Sequence, residues 1–220
     1  MEESHLFLAH PVFLMILALA FILSISFYKG IRKNKEVLFG ALKDLVSISK
    51  PDDHTFVNIG GAVGYHANLS FNGKGPVSEI DATITLLPRQ AFLYMPISRL
   101  IMGSDRFFIT LYMRSAPPGE GHLIEKQYAG FRGPKITNSD RLHMKKVQWG
   151  NLTFYLYYEM TKMYNNLMSF IRDNPDPGIV RHIAMLPQQR KGFIFMIPEQ
   201  GKVATHLTPC YNFMLHVFAN

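Results

Sequence analysis

Charge is missing from Leu6 to Tyr28, LFLAHPVFLMILALAFILSISFY, and that absence dominates the reading of this 220-residue chain. In a helix rising about 1.5 Å per residue, roughly 20 apolar residues match a hydrocarbon core of about 30 Å. Other things are scarce too. A single cysteine, Cys210, excludes an intramolecular disulfide and fits a reducing compartment. Its apolar setting makes it a buried structural thiol rather than a nucleophile. There is no Walker motif, HExxH, CxxC pair or EF-hand loop, so the chemistries that depend on those motifs find no support. Gly60-Gly61-x-x-Gly64 lacks the following Lys-Ser/Thr of a phosphate loop and reads as a plain turn. The nine histidines show no metal spacing, and Ser139, Asp140 and His143 lack the surroundings of a nucleophile elbow. The expectation is a non-enzymatic protein with no catalytic residues, no metal and no cofactor.

What is present begins with the flanks of the apolar segment. MEESH is acidic where a cleaved secretory signal is basic, and the exit is bulky Phe27-Tyr28 rather than a small-residue cleavage site. The segment therefore reads as a retained anchor, with Pro11 tolerated in its first turn. All 23 Lys and Arg follow residue 28, which predicts an outward N-terminus and a cytosolic remainder. The expected organisation is a short extracytoplasmic 1–10, a transmembrane helix 11–28 and one cytosolic domain 29–220. Lys29, Arg32, Lys33 and Lys35 are expected at the membrane surface beside anionic head groups. Beyond the anchor, 23 basic residues against 14 acidic ones leave a formal charge of +9. Lipid head groups and nucleic acid phosphates are the partners such a balance suits.

Periodicity then divides the domain. Val37, Leu38, Ala41, Leu42, Leu45 and Val46 recur at helical spacing within 31–49, and Lys50-Pro51 ends that helix. Residues 62–71 and 78–87 read as an antiparallel hairpin; in the second strand Ile80, Ala82, Ile84 and Leu86 alternate with polar neighbours. A helix is predicted over 89–102, strands over 106–114 and around 122–128, and an exposed loop over 129–142. A long amphipathic helix over 151–173 rests on Leu152, Leu156, Met160, Met163, Leu167 and Ile171. A short apolar helix over 179–186, a strand over 192–197 and a closing helix over 203–218 containing Pro209 complete the order. The fold class is α+β, with helices against one antiparallel sheet.

Basic clusters fall in predicted loops and element ends. Arg132 and Lys135 lie in FRGPK, Arg141, Lys145 and Lys146 in RLHMKK, and Arg190 and Lys191 in QRK. Phosphate contacts of this kind give salt-sensitive affinity with little sequence preference, which suits docking on folded rRNA. Solvated turn residues are the rival reading.

The run Ile80 to Met113, IDATITLLPRQAFLYMPISRLIMGSDRFFITLYM, resembles the calumin family, coiled-coil-domain proteins of the endoplasmic reticulum within the translocon-associated PAT chaperone complex. The likeness is an apolar strand, the pair Arg89-Gln90, an apolar helix containing Arg99, a turn with Asp105 and a second strand. A weaker likeness covers Arg190 to Phe218. The family's acidic luminal segment is reduced here to MEESH and its charged C-terminal coiled coil is missing, so a shortened homologue is expected and calcium binding has no support. The resemblance implies a factor beside the protein-conducting channel that contacts the ribosome and assists insertion or folding of multi-spanning membrane proteins. Expected partners are channel subunits, the ribosome, the lipid bilayer and a small membrane protein. The location would be the endoplasmic reticulum membrane or a prokaryotic plasma membrane. An accessory subunit of a respiratory or other energy-converting complex is the alternative.

Overall fold

The computed structural model describes residues 10–130, 136 and 139–219. One helix, α1 (Pro11–Ser49), runs through both the apolar segment and the first predicted domain helix. Pro11 sits at its first turn, where a missing N–H costs nothing, and the His10 ring accepts a bond from Val12 N–H. Gly30, Asn34, Val37, Leu38, Ala41, Leu42, Leu45 and Ser49 form one buried stripe. N-terminal to Gly30 the helix is largely exposed and carries the 18-residue window that is long and apolar enough to cross a membrane.

Nine strands among the described residues form one antiparallel sheet in the order β1-β2-β3-β4-β9-β8-β5-β7-β6. They are β1 (Asp53–Asn58), β2 (Gly64–Ser70), β3 (Val77–Thr85), β4 (Arg106–Met113), β5 (Gly121–Glu125), β6 (His143–Trp149), β7 (Leu152–Tyr158), β8 (Val180–Leu186) and β9 (Lys191–Met196). The expected hairpin is present as β2 and β3, with Leu69 opposite Ile80 and Ala67 opposite Ala82. The architecture is α+β, as the sequence predicts.

Side-chain alternation gives the sheet two unlike faces. Ile80, Ile109, Leu123, Leu156, Ile183 and Ile194 point into one core with α1, α3 (Thr161–Asp173) and α4 (Val203–Ala219). Trp149 closes that core against Phe154 and Phe170, with its indole N–H on the Asn174 carbonyl. The register puts Thr83, Phe108, Phe195, His182 and Ile124 on the opposite face, away from these helices.

Several expectations are corrected. Residues 151–173 are not one helix but strand β7 followed by helix α3. Leu152 and Leu156 are four apart, a spacing that satisfies two strand repeats as well as one helical turn, and the intervening Thr-Phe-Tyr run favours the strand. The helix predicted over 179–186 is instead strand β8, Val180–Leu186; it is buried at His182 through Met185, so its apolar residues show no alternation. The helix predicted over 89–102 shrinks to α2 (Met95–Met102) behind a turn. Strands β1 and β6 were not expected: β1 is exposed throughout and β6 nearly so, leaving no buried face to impose a pattern.

Candidate membrane-facing site

Helix α1 meets the sheet at the end where β3 and β9 finish and β4 begins. Gly30 makes the contact possible, because a Cβ there would stand 2.4 Å from the carbonyl carbon and oxygen of Arg89. One turn on, Asn34 is fully buried and its amide donates to the Leu87 carbonyl at 2.9 Å. Its own oxygen accepts from the Arg89 guanidinium at 2.8 Å. The same guanidinium grips Asp105 through two bonds, of 2.6 and 3.2 Å, and Asp105 also accepts from Leu87 N–H at 2.8 Å. A buried carboxylate is tolerable only when paired and hydrogen-bonded, and here both conditions hold. Lys33 adds a bond to Gln200, beyond β9, at 2.7 Å. The turn of α1 that follows its apolar half is therefore clamped to the strand ends.

What this clamp holds in place is an apolar element. Between Arg89 and Asp105, Phe92, Leu93, Tyr94, Ile97, Leu100 and Ile101 are all more than half solvent-accessible or at the half mark, with Leu100 at 74%. So many large apolar side chains exposed together on one short segment mark a contact surface rather than ordinary surface composition. Phe92, Leu93 and Tyr94 stand beside Leu23, Phe27 and Tyr28 of α1, leaving a groove of about 470 Å³ between them. Arg99 is the one cation of α2, on its last turn, where it complements the helix dipole.

The membrane-surface candidates Lys29, Arg32, Lys33 and Lys35 are exposed and lie on α1 just after its apolar stretch. Arg32 pairs with Glu36 at 3.0 Å and Lys33 with Gln200, so Lys29 and Lys35 keep the freer ammonium groups. The rRNA candidates are not brought together. Arg132 and Lys135 lie outside the described residues. Arg141 is exposed in a single 3-10 turn ahead of β6. Lys145 and Lys146 stand on strand β6, not in a loop as expected, and so point to opposite faces. Lys145 lies 4.4 Å over the Tyr164 ring of α3, while Lys146 is opposite Tyr155. Arg190 occupies a left-handed turn before β9, and Lys191 covers Tyr112 at 4.8 Å. Three strands separate β9 from β6, a span of roughly 19 Å at about 4.8 Å per step.

Cys210 is buried and its thiol is pushed up by burial, consistent with a structural role. No group of three or more metal-ligating side chains occurs among the described residues. Sequence reasoning gave a helix over 89–102 and missed the exposed apolar surface of 92–101; the available signal was an apolar run interrupted by Pro96 and Arg99, too polar to be a core helix.

The chain matches no family model and no curated protein. Fold and site together define a class: an α+β domain carried on an N-terminal helix that is long and apolar enough to cross a membrane, with a second apolar element clamped beside it.

Proposed function

We propose that this is a single-pass, non-enzymatic membrane protein that engages the transmembrane segments of other membrane proteins where they meet the cytosolic surface. The observation that carries this is the exposed apolar surface of 92–101, locked by Asn34, Arg89 and Asp105 against the exit of the anchor. A surface of that kind is stable beside lipid and costly in water. The groove between it and α1 is bounded by apolar side chains on both sides, which suits a helix lying in the bilayer. Three of the residues that carry the calumin-like resemblance, Arg89, Gln90 and Asp105, belong to or border this clamp, which supports a setting beside the protein-conducting channel and the ribosome. Exposed Arg141, Lys146 and Arg190 would supply phosphate contacts there.

The test is photo-crosslinking of the intact chain in native membranes, with a photoreactive residue at Leu93 or Leu100. Adducts with polytopic membrane proteins and co-isolation of channel and ribosomal proteins are expected. Adducts with lipid alone would overturn the reading, and co-isolation of redox subunits would replace it with the energy-converting alternative.

A further inference from the structure

The sheet face away from α1, α3 and α4 carries a cavity of about 480 Å³, within the range typical of small-ligand sites. Phe108, Phe193 and Phe195 form its floor, with Phe108 centred 5.0 Å from Phe195 and 6.1 Å from Phe193. Tyr128 stands edge-on to Phe195 at 5.1 Å and is pinned by a 3.1 Å bond between its hydroxyl and Ser104. Met102 and Gly103, at the end of α2, close the side nearest the clamp, and the Arg106 guanidinium reaches the wall there. Arg106 donates to the Met102 carbonyl at 2.8 Å and has no carboxylate partner among the described residues.

His182, 5.3 Å from Phe193 and only 4% exposed, lines the cavity together with Gln127 and Arg106. Its hydrogen-bonding state follows from a short chain. Glu120 Oε1 lies 2.9 Å from His122 Nε2, and His122 Nδ1 lies 3.4 Å from His182 Nε2. A carboxylate can only accept, so His122 donates from Nε2 and presents a lone pair at Nδ1; His182 must then donate from Nε2. That leaves His182 Nδ1 as a bare acceptor, buried, with no partner among the described residues. Burial holds both imidazoles in the neutral form this chain requires: it lowers His122 and, helped by the charge His122 would carry, takes His182 down to about 3. An orphaned buried acceptor is a cost unless something donates to it.

We infer that this cavity binds a single-chain amphiphile, its apolar body on the aromatic floor, an anionic group at Arg106 and a hydroxyl that reaches His182 Nδ1 by displacing the side chains that cover it. A monoacyl glycerophosphate and a hydroxylated fatty acid share that chemistry. The membrane as its source rests on the reading of α1 as a bilayer span, while the cavity's own chemistry does not.

The test uses the full chain in nanodiscs of zwitterionic lipid, with photoreactive monoacyl glycerol phosphate as probe and adducts mapped by peptide mass spectrometry. Labelling is expected on the peptides of β9 and the Tyr128 turn, competed by unlabelled probe. His182→Phe should weaken apparent affinity about tenfold, the loss expected for one buried hydrogen bond. Arg106→Gln should weaken the phosphate probe but leave neutral monoacylglycerol unchanged, and plain oleate, lacking the hydroxyl, should not distinguish His182→Phe from wild type. Hydroxystearate labelling that matches the phosphate probe assigns the source to fatty acids; weaker labelling assigns it to phospholipid. Because Ile124→Trp builds into the cavity from a fully buried position on β5, it should abolish labelling while a cooperative, somewhat lowered thermal transition shows that the variant is folded. Labelling confined to α1 and α2, or undiminished in His182→Phe and Ile124→Trp, overturns the inference while leaving the proposed contact with transmembrane segments intact.

Discussion

At the scale of single residues, the buried polar groups Asn34, Asp105, His122 and His182 each have an identifiable task. Removing the Arg89 side chain in Arg89→Ala would leave Asp105 buried without its cation and Asn34 without a donor. A loss of about 3 kcal/mol is expected, since an uncompensated buried carboxylate costs more than its pair was worth. Trp149, buried and unique in the chain, reports this directly by fluorescence during chemical denaturation in mild detergent. His182 sets a dependence on pH. Its folded pKa, about 3, lies below the ordinary 6.5, so between those values the unfolded chain binds more protons. Its contribution is whole above pH 6.5 and is lost as pH falls toward 3, about 2 kcal/mol of it by pH 5. His122, lowered by burial against the pull of Glu120, acts in the same direction. Glu125, raised by burial despite the opposing Arg181 charge, acts in the other. His182→Phe should therefore lose less stability than wild type between pH 7 and 5; equal losses would show that the acid sensitivity arises elsewhere.

At the scale of elements, α2 and its leading turn separate stability from contact. Leu93→Asp and Leu100→Asp remove exposed side chains and should change folding stability by less than about 0.5 kcal/mol. They should nevertheless abolish the crosslinks expected from that surface. Gly30→Val does the reverse, because its side chain would enter the space of the Arg89 backbone and force the turn away from α1. Faster proteolysis within 87–105 and a loss of about 1–3 kcal/mol are expected. Elements with one buried face were legible in the sequence: the β2–β3 hairpin, β4, α4 and the stripe on α1 all follow from alternation or helical spacing. Among those buried on two faces or on none, β5 and β9 were still legible, but β8, β1 and β6 were not. Strand β8 hid because His182 to Met185 are all buried, β1 because none of its residues is, and β7 because leucines four apart fit either period. For the site, Arg89, Gln90 and Asp105 were already noted on resemblance, but Asn34 and Gly30 looked like ordinary helix residues; their roles depend on partners more than 50 positions away.

At the scale of the molecule, the described phosphate-binding candidates Arg141, Lys145, Lys146, Arg190 and Lys191 are spread from β6 to β9 rather than gathered in one patch. On the proposed reading, association of the intact, extracted chain with ribosomes should be detectable and fall steeply between about 50 and 200 mM salt. Because Lys145 and Lys146 face opposite ways, charge reversal at one of them should weaken pelleting and reversal at the other should not; equal effects would argue against a single docking face. The exposed edge of β6 is itself guarded by those lysines, which discourage strand addition by other chains. Helix α1 spans 39 residues, a length of roughly 58 Å, with no break between its apolar half and the half that packs into the core. The domain consequently has no swivel. Any tilt imposed on the leading half acts as a lever, swinging the whole sheet through the same angle.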